Sequence, residues 1–136
     1  MFRALIDTNV IISYLFWKGS PRKVIDAAIH FQFEALTSLF ILQELEHVLL
    51  RVPFSVPPIR MQQILRDVLS YTTLIYERKL EKNIKIRDPY DQRILAAALG
   101  CDAQFLITGD KDLLSLKTTQ ALTILTPTDF CLRLLS

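Results

Sequence analysis

At 136 residues, half of them apolar and only three glycine and six proline, the chain is sized for one ordered domain, residues 1–136, able to bury most of the surface its unfolded form exposes. Its 16 basic and 14 acidic residues leave a net charge of +2; if several acids gather in one place the remainder is distinctly basic, which suits cations in a pocket and a polyanion around its rim. Nowhere do 18 uncharged apolar residues follow one another, and the first apolar run breaks at Asp7, so neither a membrane span nor a signal-peptide core is expected and the expected location is the cytoplasm.

Five short runs rich in branched residues read as strands, with helical patterns between them. The first, Phe2 to Ile6, leads through Asp7-Thr8-Asn9-Val10 into a helix whose apolar character continues to Tyr14-Leu15-Phe16-Trp17. After Gly19, Ser20-Pro21 is a cap and first-turn proline opening a helix with Val24, Ile25, Ala28 and Ile29 on one face. The second strand, Phe33 to Thr37, is followed after Ser38 by a helix whose apolar stripe centres on Leu45, with Ile41, Val48, Leu49 and Val52 beside it. Glu44 borders that stripe on one side and Glu46 on the other, and periodicity does not choose between them.

Pro57-Pro58 precede a further helical pattern carrying Ile64, Leu65, Val68 and Leu69, and Thr72 to Tyr76 reads as the third strand. A basic run follows, Arg78, Lys79, Lys82, Lys85 and Arg87, before Pro89 opens a helix that ends at Gly100. Gln104 to Thr108 is the fourth strand, a glycine-containing turn holds Asp110 and Asp112, Leu122 to Leu125 is the fifth strand, and Thr126-Pro127 begins a last helix. Cys101 and Cys131 stand alone and read as small hydrophobes; His30 and His47 have no partner at metal-ligand spacing, so neither a disulfide nor a zinc site is expected.

Strands alternating with helices imply right-handed crossovers and a mainly parallel sheet with helices on both faces. In such a sheet functional groups collect beyond the carboxyl ends of the strands. Asp7 follows the first strand, Asp110 and Asp112 the fourth, and Asp88 and Asp91 flank the start of the helix that Pro89 opens. Asp7 could cap a helix, but an acid at the end of an apolar strand is costly to desolvate unless it meets a cation or an array of donors. On that reading Asp7→Asn keeps the fold and relieves repulsion in the metal-free protein. Asp88 before Pro89 is a good N-cap, and Asp91 can serve both the first turn and a cleft. Asp129 is read as capping only. Four or more carboxylates at one end of a small sheet repel one another, and divalent cations relieve that repulsion.

The stretches LIDTNVIIS, TSLFILQELEHVL, RDPYDQRILAAAL, FLITGDKDLL and ILTPTDFCLRLL, in this order, resemble the PIN-domain ribonucleases, and most of all the bacterial PIN toxins of VapC type. The resemblance implies a three-layer α/β/α sandwich of about five mainly parallel strands and an endoribonuclease that hydrolyses RNA phosphodiesters with one or two Mg²⁺ or Mn²⁺ ions. It assigns Asp7, Glu44, Asp91 and Asp110 to the catalytic metal site, Asp112 as a frequent further acid, and Thr108 and Asn9 as supporting hydrogen-bonding residues. It also implies an antitoxin protein as partner and a homodimer. Arg22, Lys23, Arg93 and Lys111 lie beside the motif-bearing stretches and are candidates for phosphate contact. Phe16, Trp17, Phe31 and Phe54 are candidates for an exposed apolar patch.

Three rival readings remain weaker. A haloacid-dehalogenase-type phosphatase normally has a second acid two residues after the first, where this chain has Asn9. A flavodoxin-like nucleotide-binding protein would carry a glycine-rich loop after the first strand, and none occurs. A PIN-like module that binds RNA or protein without catalysis would not need the intact set of acids.

Overall fold

The computed structural model describes residues 1–77, 86–119 and 121–135. Strands β1 (Arg3–Ile6), β2 (Glu34–Ser38), β3 (Thr72–Ile75), β4 (Phe105–Ile107) and β6 (Leu122–Leu125) are the five expected ones, and a two-residue strand, β5 (Thr118–Thr119), adds an edge. The sheet order is β3-β2-β1-β4-β6-β5, parallel throughout except for the β5–β6 pair. The fold is therefore α/β, a helix-covered and mainly parallel sheet, in agreement with the sequence reading.

Chain order explains where the helices lie. From β1 to β2 to β3 the chain steps in one direction, so right-handed crossovers put α1 (Thr8–Phe16), α2 (Ser20–Ile29), α3 (Leu39–Leu50) and α4 (Pro58–Tyr71) on one face. The return from β3 to β4 runs the other way and carries α5 (Pro89–Gly100) to the opposite face. The short α6 (Lys111–Leu114) follows β4, and α7 (Pro127–Leu134) follows β6 and packs against α2. The strand order reverses between β1 and β4, which places the crevice at the carboxyl ends of those two strands.

The two ends of the sheet differ in chemistry. At the amino ends, Phe2, Phe33, Phe105 and Phe130 form a mutually packed aromatic group, with Phe2 stacked on Phe33 at 5.6 Å and Phe130 edge-on to Phe33 at 5.0 Å. At the carboxyl ends, the residues after β1 and β4 are Asp7 and Thr108, both fully buried. The central strands are apolar on both faces, with Ala4, Leu5, Ile6, Leu36, Leu106 and Ile107 sealed from solvent, as a parallel sheet between two helical layers requires.

Several local expectations change. Val52 lies beyond the end of α3, after the cap at Arg51, and is 86% exposed, because the helix stops before reaching it. Ile29 and Leu69 point outward, although Val24, Ile25, Ala28, Ile64 and Val68 on the same helices are buried. Each sits at the margin of its stripe, where one neighbouring layer cannot cover it. The turn after Gly109 closes into α6, capped by Asp110. Of the basic run, Arg78, Lys79, Lys82 and Lys85 lie outside the described residues, and Arg87 is exposed.

Candidate metal centre

Asp7 is the N-cap of α1 and is held by four donors. Its Oδ1 accepts from the Thr8 backbone N–H at 2.7 Å and from the Tyr90 hydroxyl at 2.7 Å; its Oδ2 accepts from the Thr108 hydroxyl at 2.7 Å and from the Asn9 amide at 3.1 Å. A carboxylate offers about four lone-pair directions, and here each meets a donor. Burial pushes the Asp7 carboxyl above its ordinary value, against the pull of the Tyr90, Thr108 and Thr8 hydrogen bonds.

The supporting residues tie two strand ends together. Thr108 Oγ1 donates to Asp7 and accepts from the Asp110 backbone N–H at 3.0 Å. Asn9 donates to Asp7 and, at 3.4 Å, to Thr108, while its Oδ1 accepts from the Gly109 N–H at 2.9 Å. Asn9 thus spans the start of α1 and the turn after β4. Backbone bonds from Asp7 N–H to Ile107 and from Thr108 N–H to Leu125 prolong the ladder to the edge of the crevice.

Asp91 presents the opposite situation. It lies in the first turn of α5 behind the Asp88 cap, which accepts from the Tyr90 N–H at 2.8 Å. Asp91 is 1% exposed, yet among the described residues no donor reaches either of its carboxylate oxygens. Its polar surroundings are other acids: oxygens of Asp91, Asp110 and Asp112 lie within 4.8 Å of one another. Burial first, then the negative charges of Asp110 and Asp88, push its carboxyl up to about 7. Asp110 has its own structural task, its Oδ1 accepting from the Asp112 N–H at 2.8 Å and the Leu113 N–H at 3.3 Å.

The predicted site residues are therefore brought together unevenly. Asp91, Asp110 and Asp112 form one group, and Asp7 adjoins it closely enough for its charge to act on Asp91. Glu44 is half-buried and lines a cavity with Thr8, Asn9, Ile12, Val48 and Tyr90, a wall that includes none of the grouped aspartates; Glu46 is exposed. Tyr90, which sequence reasoning passed over, stands at the meeting point. Its hydroxyl touches Asp7, its ring packs against Phe40 at 5.1 Å, and Glu44 and Asp7 are both near enough to raise its proton affinity, after burial as the main cause. The only sequence signal was its place next to Asp91.

The sequence profile of one known family, the PIN domain, matches residues 3–112. The chain belongs to the PIN-domain family. Members of this family are generally nucleases, and the matched span contains every aspartate of the site. Among solved structures, this PIN domain is similar to VapBC2 from Rickettsia felis bound to a DNA fragment from the promoter, at TM-score 0.66 and 17% identity, covering 92% of this chain and 98% of that one. It is also similar to DNA-bound VapBC from Salmonella typhimurium, at TM-score 0.64 and 18% identity, covering 93% and 99%. At such identities the likeness is one of fold. No curated protein matches the chain in sequence.

The candidate basic residues of this PIN domain have uneven freedom. Arg22 donates to the carbonyls of Tyr14 and Trp17, both at 3.3 Å, closing the carboxyl end of α1. Arg93 lies over the Phe40 ring, 3.9 Å from its centre, and is paired with Glu77. Lys23 and Lys111 are exposed. Among the described residues no helix is long and apolar enough to cross a membrane.

Proposed function

We propose that this PIN domain is a divalent-metal-dependent endoribonuclease, with Asp91, Asp110, Asp112 and Asp7 holding one or two Mg²⁺ or Mn²⁺ ions. The single observation that carries this reading is Asp91, a buried carboxylate with both oxygens unpartnered among the described residues and two more carboxylates within 4.8 Å. Burying an unpaired ionised carboxylate is costly enough that such a group either keeps a proton or meets a cation. An all-oxygen donor set of hard carboxylates suits Mg²⁺ or Mn²⁺ and not the soft ions that thiolates select.

Such an ion supplies an activated water and neutralises charge on the leaving oxygen of an in-line phosphodiester displacement. The protein's own contribution is positional. Thr108 and Asn9 fix the Asp7 carboxylate and the turn bearing Asp110, and the α6 cap orients Asp110 through the Asp112 and Leu113 amides. Glu44, across the Thr8–Asn9–Tyr90 wall, is assigned a supporting role at the rim. Lys23 and Lys111, exposed and without a salt bridge among the described residues, can meet phosphates, whereas Arg22 and Arg93 reach them only by leaving their present contacts.

As in the PIN toxins of VapC type that the sequence resembles, we assign the chain to a toxin–antitoxin pair, acting in the cytoplasm. An exposed aromatic patch supports a protein partner: Phe16, Trp17 and Phe54 pack together with centroids 4.6 to 6.4 Å apart, while Phe16 and Trp17 stay 42% and 57% exposed. An antitoxin, or a second copy of the chain in a homodimer, would cover it. RNA cleavage that requires Mn²⁺ or Mg²⁺, stops with EDTA and is lost in Asp91→Asn tests the enzymatic reading. Tight Mn²⁺ binding without cleavage of any RNA would instead favour a PIN module that only binds.

A further inference from the structure

We propose that the cavity at the carboxyl ends of β2 and β3 is a subsite for one unpaired base of the RNA substrate. This rests on the reading of the acidic crevice as a ribonuclease site. Ser38 and Ile75, the last residues of those strands, line the cavity, so it lies at the same end of the parallel sheet as Asp7 and Thr108. Two rings join it to the acids: Phe40, on its wall, packs against Tyr90 at 5.1 Å, and the Tyr90 hydroxyl bonds Asp7. An RNA strand whose scissile phosphate meets the acids therefore has this cavity beside it.

Three planar groups meet there. Tyr76 is 83% exposed and lines the cavity together with Phe40 and Arg93. The Arg93 guanidinium lies over the Phe40 ring, and its Nε and Nη2 donate to Glu77, the former at 3.2 Å. Part of its donor edge is thereby spent and one face is covered, while the side chain stays 49% exposed. What Arg93 offers a ligand in this position is the plane of the guanidinium, on which bases stack as they do on aromatic rings.

The charge balance separates a base from other ligands. Arg93 and Glu77 neutralise each other, so a phosphate gains little from the pair and is repelled by the Glu77 carboxylate. An apolar side chain would desolvate that ion pair and the Gln43 amide without supplying new hydrogen bonds. A base meets both demands, because its faces are apolar and its edge carries donors and acceptors that match Gln43, whose amide is both. The volume, about 190 Å³, is below the roughly 300–1,000 Å³ of pockets for drug-sized ligands and suits one planar ring system.

Fluorescence anisotropy of the full chain in EDTA tests this, with a labelled mixed-sequence RNA octamer and an octamer of abasic ribosyl phosphates as probes. Circular dichroism confirms that each variant is folded. Tyr76→Ala is expected to raise the dissociation constant for the RNA octamer about fivefold or more and to leave that for the abasic chain unchanged. Tyr76→Trp should bind RNA at least as tightly as the wild type. Arg93→Lys keeps the charge that a phosphate would use and loses the plane, so it too should weaken only the base-bearing octamer. In Mn²⁺-dependent cleavage of the same octamer, the Tyr76→Ala loss should appear in KM with kcat unchanged. Equal losses on both chains in Tyr76→Ala, or no loss, overturn the subsite. So does a Tyr76→Ala defect confined to association with a second copy of the chain or with another protein, which would make the cavity a protein contact. Failure of the wild type to bind or cleave any RNA removes the ribonuclease reading and the subsite with it; Mn²⁺-dependent cleavage in which Tyr76→Ala matches the wild type removes the subsite alone.

Discussion

Two buried aspartates of one site have opposite surroundings, and their amide variants should respond with opposite signs. Among the described residues Asp7 meets four donors and Asp91 none. Replacing Asp7 by asparagine turns one oxygen into an NH₂ group facing the Thr8 N–H or the Asn9 amide, and should cost the metal-free protein about 1–3 kcal/mol. This is the opposite sign to the relief of repulsion expected from the sequence, because four donors bond its oxygens and outweigh the more distant charge of Asp110. Asp91→Asn removes an unpaired charge and gives Asp110 a donor, and should stabilise the metal-free protein by about 1 kcal/mol; thermal melts in EDTA compare the two. The same asymmetry predicts a pH dependence. Because the fold raises the Asp91 carboxyl from 3.8 to about 7, the folded state binds the extra proton between those values. Stability without metal should then decline as the pH rises from about 4 to about 7 and level off above, more steeply than in Asp91→Asn. The raised Asp7 acts in the same sense. Equal slopes in the two proteins would show that Asp91 ionises freely.

At the scale of elements, the crevice exists because two strand ends are locked to the helices that follow them. Asn9 does this between α1 and the turn before α6, through bonds to Asp7, Thr108 and the Gly109 N–H. Asn9→Ala would leave the Gly109 N–H without that acceptor and Asp7 with three donors. We expect a loss of about 2 kcal/mol and faster hydrogen exchange at the Gly109 and Asp110 amides, with exchange in β2 unchanged. Uniform acceleration across the sheet would mean that Asn9 acts on global stability and not on this junction. The α3 start is a contrasting case. Ser38 caps it by accepting from the Ile41 N–H at 3.2 Å, so Ser38→Ala should cost about 1 kcal/mol in thermal melts.

For the whole molecule, the apolar and acidic ends of the sheet are separate, and Phe16, Trp17 and Phe54 form a further aromatic cluster, with Phe16 and Trp17 exposed. Its exposure gives a prediction that folding energetics alone would not. Trp17→Arg should leave the melting temperature nearly unchanged, within the roughly 0.5 kcal/mol usual for a surface substitution. It should nevertheless weaken association, read by light scattering of the protein alone and with the product of a neighbouring gene. A monomeric wild type that ignores that product would leave the nuclease reading intact and remove the toxin assignment.

The strands and major helices were legible because their signals are local. Runs of branched residues, the Ser20-Pro21, Asp88-Pro89 and Thr126-Pro127 starts, and the parallel topology implied by alternation all follow from a few adjacent residues. Proximity of Asp7, Asp91 and Asp110 could be argued as well, since a parallel sheet sends the ends of β1 and β4 to one edge. What lies between those acids could not be read in this way. Whether Asp7 meets donors or anions depends on Thr108 and Tyr90, 101 and 83 residues distant. Whether Glu44 or Glu46 turns towards Thr8, Asn9 and Tyr90 depends on how α3 packs, since a helical wheel treats the two edges of its stripe alike. The short β5, the end of α3 before Val52 and the outward Ile29 and Leu69 have the same origin. The sequence by itself determined the elements and the end of the sheet where acids collect, because both arise from short-range geometry. Tertiary structure alone decided which carboxylates are satisfied and which are left without a donor, because a buried group's energy is set by neighbours brought to it from distant parts of the chain.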